Sequence, residues 1–286
     1  GCQFFSSNLS EFQLSLMQTA ASDFSHYWAC IDNVTLRSLD IPKNKYNTWL
    51  ALAYSHSDMD DALLIRFASN INLSKEELFK LAAVIGKMSL LNKLIERHDG
   101  KLINLISAGN YAAFIGAAGN GQLQVLNYLI ECLTALAPEK VHVMISAWDT
   151  FGSHAAFRLA SANGHLHVLE WLETHYPDSV QAMILARDML GEYATFRLAS
   201  ANGHLHVMEW LMDKTQKRAP EQIQTMIASV YTIAFRVAAS NGHLPVMERL
   251  KERAPDNIQT MILDDDYGAF RVAAGNGHLL VMEWLI

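Results

Sequence analysis

The sequence predicts an all-α protein built of stacked helical hairpins, and three observations carry that expectation. One string recurs six times, a proline-led string follows most of its copies, and the distances between copies change in steps of four. The clearest copies are FRLASANGHLHVLEWL from Phe157, FRLASANGHLHVMEWL from Phe196, FRVAASNGHLPVMERL from Phe235 and FRVAAGNGHLLVMEWL from Phe270. FIGAAGNGQLQVLNYL from Phe114 and FKLAAVIGKMSLLNKL from Phe79 are weaker copies.

In the first helix of each unit, Phe and the alanine three residues on (Ala82, Ala117, Ala160, Ala199, Ala238, Ala273) face inward. Alanine is small enough to let paired helices approach. Glycine seven residues after the Phe closes the hairpin, because it tolerates positive φ. The second helix then buries Leu, Val, Leu or Met, and Leu at i, i+3/i+4 spacing. PEKVHVMI from Pro138, PDSVQAMI from Pro177, PEQIQTMI from Pro220 and PDNIQTMI from Pro255 read as a short third helix with proline at its first position. DGKLINLI from Asp99 holds the same offset without the proline.

Successive Phe residues are 35, 43, 39, 39 and 35 apart. Phe to Pro takes 24, 20, 24 and 20 residues, and the third-helix Met to the next Phe takes 13, 13, 9 and 9. Four residues are close to one helical turn. Helices that lengthen by whole turns keep the same face buried, and the second step is open to lying partly in a connection.

Residues 78–286 form the repeat domain, about six repeats with the last incomplete. Residues 1–77 are read as an N-terminal helical cap. Within it, Asn47 to Arg66 reads as a degenerate hairpin, and Ser74-Lys75-Glu76-Glu77 as a capping box opening the Phe79 helix. The sixth unit stops at Ile286 inside its second helix, so a further C-terminal part is expected.

The core string resembles the ankyrin repeat, whose hairpin reads roughly TPLHxAAxxGHLxVVxxLL; Phe157 to Leu172 follows it closely. The usual Thr-Pro-Leu-His start is replaced by strings such as Ala155-Ala156-Phe157-Arg158. The usual short β-hairpin linker is expected to be replaced by the proline-led helix. Repeats of this extended type look like those of secreted effectors of Legionella-like bacteria. The resemblance implies a preformed surface that grips partner proteins, without catalytic residues or cofactors. It also implies a cytoplasmic location, reached by secretion into a host cell if the chain is such an effector.

Composition narrows the partners. Net charge is −7, and no basic run of useful length occurs, which disfavours nucleic acid and anionic membranes. No apolar run is read as a membrane span, and the chain is expected to be monomeric. Cys2, Cys30 and Cys132 are odd in number and widely spaced, which supports neither a disulfide framework nor a zinc site. There is no P-loop, GxGxxG, HExxH or GxSxG string.

Four constellations stand out. Arg158, Arg197, Arg236 and Arg271 follow the Phe, and Glu170, Glu209, Glu248 and Glu283 lie thirteen after it; both are missing from the two weaker copies, which predicts a structural ion-pair ladder. His165, His204, His243 and His278 are expected to cap the second helix. Trp171, Trp210 and Trp284 are expected to fill the core between repeats. The connections before each first helix hold Tyr111, Trp148, Asp149, Phe151, Asp188, Tyr193, Tyr231, Asp264, Asp265, Asp266 and Tyr267, the candidate partner contacts. The leading functional expectation is a protein-interaction scaffold. The alternative is the targeting or substrate-binding part of an enzyme whose catalytic domain is N-terminal or beyond Ile286.

Overall fold

A computed structural model describes residues 61, 65, 74–96, 102–149, 151–187, 193–218 and 230–286. The fold is all-α, and the chain forms two compact units, residues 1–108 and 109–286. Most of the expected N-terminal cap, including nearly all of Asn47 to Arg66, lies outside the described residues. So do Asp188 and the Pro220 string.

In the first unit, α1 (Lys75–Ile85) opens with the expected capping box. The Glu77 N–H donates to Ser74 Oγ at 3.1 Å, and the Ser74 N–H donates to Glu77 Oε2 at 2.9 Å. The two bonds satisfy amides that the helix itself leaves unpaired. The helix ends at Gly86 with φ 77°. Its partner, α2 (Met88–Glu96), buries Leu90, Leu91 and Leu94. The buried Asp61 carboxylate accepts from the Ser89 hydroxyl and pairs with Lys93 at 2.9 Å.

The apolar segment α3 (Leu102–Gly119) is long and apolar enough to cross a membrane by length and composition, with mean hydropathy 1.3. This corrects the expectation that no run reaches that length. Its backbone, however, turns left-handed at Gly109, Asn110 and Tyr111, so it is two short helices rather than one. Such a break leaves backbone groups that lipid cannot satisfy. Half of the segment is buried within the protein.

The second unit repeats one plan. First helices are the end of α3, α6 (Ala155–Ala162), α9 (Ala194–Ala201), α11 (Thr232–Ser240) and the end of α13 (Ile258–Gly275). Second helices are α4 (Leu123–Leu136), α7 (Leu166–His175), α10 (Leu205–Arg218), α12 (Leu244–Arg253) and α14 (Leu279–Leu285). From α6 on, each first helix packs on the next. Phe114, Phe157, Phe196 and Phe235 are fully buried, and so are Ala117, Ala160, Ala199 and Ala238.

The four-residue steps have two different structural origins. From α4 to α12 the second helices are 14, 10, 14 and 10 residues long, matching the Phe-to-Pro alternation. That step is one whole turn of helix. Third helices follow as α5 (Glu139–Ile145), preceded by Pro138, and α8 (Pro177–Ile184). At Pro255 a 3-10 turn, Pro255–Asn257, runs into α13.

The other step lies in the connection after the third helix. After α5 and α8 the described residues of the connection hold isolated antiparallel bridges, Asp149↔Gly152 and Arg187↔Tyr193. The third helix therefore accompanies a reduced β finger and does not replace it, which corrects the sequence reading. At two of the short connections, before Phe114 and before Phe270, the chain closes through three left-handed residues instead, whereas before Phe235 the matching Tyr231 stays right-handed at φ −70°. Asp265, Asp266 and Tyr267 have φ of 51°, 52° and 60°, at the offsets from Phe270 that Gly109, Asn110 and Tyr111 hold from Phe114.

Candidate partner-binding surface

The seam between hairpins explains the recurring Asn-Gly-His. Asn163 and Asn202 reach back to the preceding hairpin, where their side-chain amides donate to the carbonyls of Gly119 and Ala162 at 2.5 and 2.6 Å. Asn276 donates to Ser240 at 2.7 Å. The histidines also reach carbonyls of the preceding hairpin: His243 Nε2 lies 3.0 Å from Ala201 O, while Asn241 bonds Val237 of its own helix, and His278 Nε2 lies 3.0 Å from Ser240 O, which Asn276 shares. His165 and His204 bond to the backbone of Gly119 and Ala162. None of His165, His243 and His278, each at the N-cap of its second helix, makes a side-chain capping bond. The expectation that these histidines cap their helices is therefore corrected; they clip each hairpin to the one before it.

The Arg and Glu columns do not pair as expected. Arg158, almost wholly buried, bonds Asp149 of the finger just before it. Arg236 pairs with Asp264 at 3.1 Å, and Arg271 with Asp265 at 3.1 Å. Glu209 pairs forward with Arg249 of the next hairpin at 2.7 Å, while Glu170, Glu248 and Glu283 are exposed. The arginines thus anchor the connections, and the ladder of Arg158, Arg197, Arg236 and Arg271 with those glutamates is corrected for Arg158, Arg236 and Arg271. Removing Asp149 tests the anchor. Asp149→Ala leaves a buried guanidinium short of its acceptor and is expected to cost about 1.5–3 kcal/mol in urea unfolding. A cost within experimental error would show that the finger does not depend on this pair.

The tryptophan column does face the preceding hairpin. Trp210 packs on Phe157 and Trp284 on Phe235, with ring centroids 6.2 and 6.0 Å apart. The Trp171 indole N–H donates to Asn127 Oδ1 at 2.9 Å. Arg249 occupies the same place in the fourth of these hairpins and uses Glu209, the counterpart of Asn127.

Among the candidate contacts, the structure separates core from surface. Tyr111 is 6% exposed and Tyr231 is 8% exposed, so both are packing residues, and burial raises both phenol pKa values. Both are withdrawn as partner contacts. Tyr193 is half-buried, its ring under the Arg187 guanidinium at 4.8 Å. Tyr267 is 53% exposed beside the acidic turn of Asp264, Asp265 and Asp266.

The most prominent feature is the finger between α5 and α6. Trp148 is 65% exposed and Phe151 is 61% exposed. Neither is free to wander. The Asn110 side-chain amide holds the Trp148 carbonyl at 2.5 Å. Asp149 Oδ1 accepts from the Phe151 N–H at 2.8 Å, and the Arg158 guanidinium lies 5.7 Å from the Phe151 ring centroid. Two aromatic side chains on a pinned backbone match the anchors of protein interfaces. Among the described residues no group of three or more His, Cys, Asp or Glu could hold a metal ion.

The architecture is that of an ankyrin-type helical repeat. It is similar to the X-ray structure of an ankyrin repeat family protein from Legionella pneumophila, with TM-score 0.50 and 24% identity. The similarity covers 97% of this chain and 92% of the other. No family model and no curated protein matches the sequence.

Proposed function

We propose that this chain is a protein-interaction scaffold whose main anchor is the Trp148–Phe151 finger. The carrying observation is the pair of exposed aromatic rings on a backbone already fixed by Asn110, Asp149 and Arg158. A partner that buries those rings gains apolar contact with little ordering cost. Tyr193, Tyr267 and the acids Asp264, Asp265 and Asp266 extend the surface, and Asp188 joins them on sequence grounds. We read the scaffold as an effector that bacteria deliver into a host cytoplasm, where binding rather than catalysis is its task; the similarity to an ankyrin repeat family protein from Legionella pneumophila supports that reading.

The test is affinity capture with the wild-type chain and a Trp148→Ala/Phe151→Ala variant. Both substitutions lie on the surface, so Tm is expected to stay within about 2 °C. The captured protein is expected to be lost. An unchanged capture would remove the finger from the interface.

A further inference from the structure

The histidine clip has a consequence for pH. A carbonyl oxygen only accepts hydrogen bonds, so Nε2 of His243 and His278 must carry the proton in their contacts with Ala201 and Ser240. The other ring nitrogen, Nδ1, then carries no proton. It lies flat against the glycine of the preceding hairpin. A Cβ added to Gly164, Gly203 or Gly242 would stand 2.7 Å from Nδ1 of His204, His243 or His278, and one on Gly121 would stand 2.9 Å from Nδ1 of His165. The seam is therefore shaped for the neutral ring.

We propose that the Asn-Gly-His edge is an acid-sensitive seam, in which protonation of His165 and His204 loosens each hairpin from the one before it while the hairpins stay helical. The charged surroundings favour this direction. The ionisable groups acting on His165 are His167 on its own helix and His204 from the next hairpin. Those acting on His204 are His206 on its own helix and His243 from the next hairpin. The preceding hairpin contributes the backbone of Gly119 and of Ala162, whose hydrogen bonds favour the charged ring and offset part of the effect of burial. All of these ionisable groups are histidines, and they disfavour the charged form of His165 and His204.

Burial, the largest cause, lowers the pKa of both rings below the ordinary 6.5. His154 is lowered likewise, by burial and then by His142. The unfolded chain then takes up protons first. Stability from these groups is complete above the ordinary histidine range and is lost as pH falls through their folded values.

The experiment compares Tm at pH 7.5 and pH 5.0 for the wild type and for His165→Gln/His204→Gln. Glutamine donates without titrating, and Gln122 already occupies this place in the Phe114 hairpin. The acid-induced fall in Tm is expected to shrink by about half in the variant. An equal fall in both proteins would overturn the seam. Should the variant fail to fold, NMR titration of the wild-type histidine rings decides: His165 and His204 are expected to titrate below 6.5. Titration at or above that value would overturn the proposal as well.

Discussion

Phe196→Ala is expected to lower the unfolding free energy by about 3–5 kcal/mol. The ring is fully buried, and its helix α9 packs on α6 on one side and on α11 on the other. The cavity would therefore open in the middle of the second unit, where neither neighbour can close it without giving up its own contacts. In a stack of repeats, stability is carried by each repeat and by its interfaces with its neighbours. The substitution weakens one repeat and two interfaces together. Urea unfolding followed by circular dichroism measures the effect, and a loss below about 1 kcal/mol would show that the Phe column is not the core.

Gly203→Ala is the second large effect, expected at about 2–4 kcal/mol. Two causes add. Gly203 has φ 72°, where an L-residue costs about 1–2 kcal/mol. The added Cβ would also stand 2.7 Å from Nδ1 of His243, a ring tied to the Ala201 carbonyl. Gly277→Ala separates the causes. Its φ is 76°, but a Cβ there would meet nothing within 4 Å, so only the backbone cost of about 1–2 kcal/mol is expected. Adding His243→Ala to Gly203→Ala should recover part of the loss, and strictly additive costs would contradict the packing of imidazole on glycine.

Much of this was legible before any coordinates, because it is written in local spacing. The Phe, Ala, Gly and Leu columns fix which faces are buried. The alternation of 24 and 20 residues from Phe to Pro fixes the second-helix lengths, because four residues make about one turn. The next step of four looked the same and was not. It lies in fingers such as Asp149↔Gly152, and a count of residues cannot tell a helical turn from a small hairpin.

Contacts between hairpins were also hidden. Tyr111 and Tyr267 stand at the same offset from their Phe and share left-handed backbone. One is buried and the other is half exposed, so the difference comes from neighbours and not from the local chain. The histidines suggested capping because they sit at helix starts. Their bonds run instead to carbonyls about forty residues earlier, at His243–Ala201 and His278–Ser240. Trp148 and Phe151 stand out in the sequence because variable aromatic residues on a rigid scaffold are where recognition usually sits. The arginine that holds them was assigned to a glutamate, since nothing in the spacing favours Asp149 over Glu170.

The seam itself can be read directly by NMR nuclear Overhauser contacts between histidine rings and glycine α-protons. Cross-peaks are expected from His204 to Gly164, from His243 to Gly203 and from His278 to Gly242, one hairpin back in each case. Rings that show contacts only to residues of their own hairpin would contradict the stacking on which the account rests.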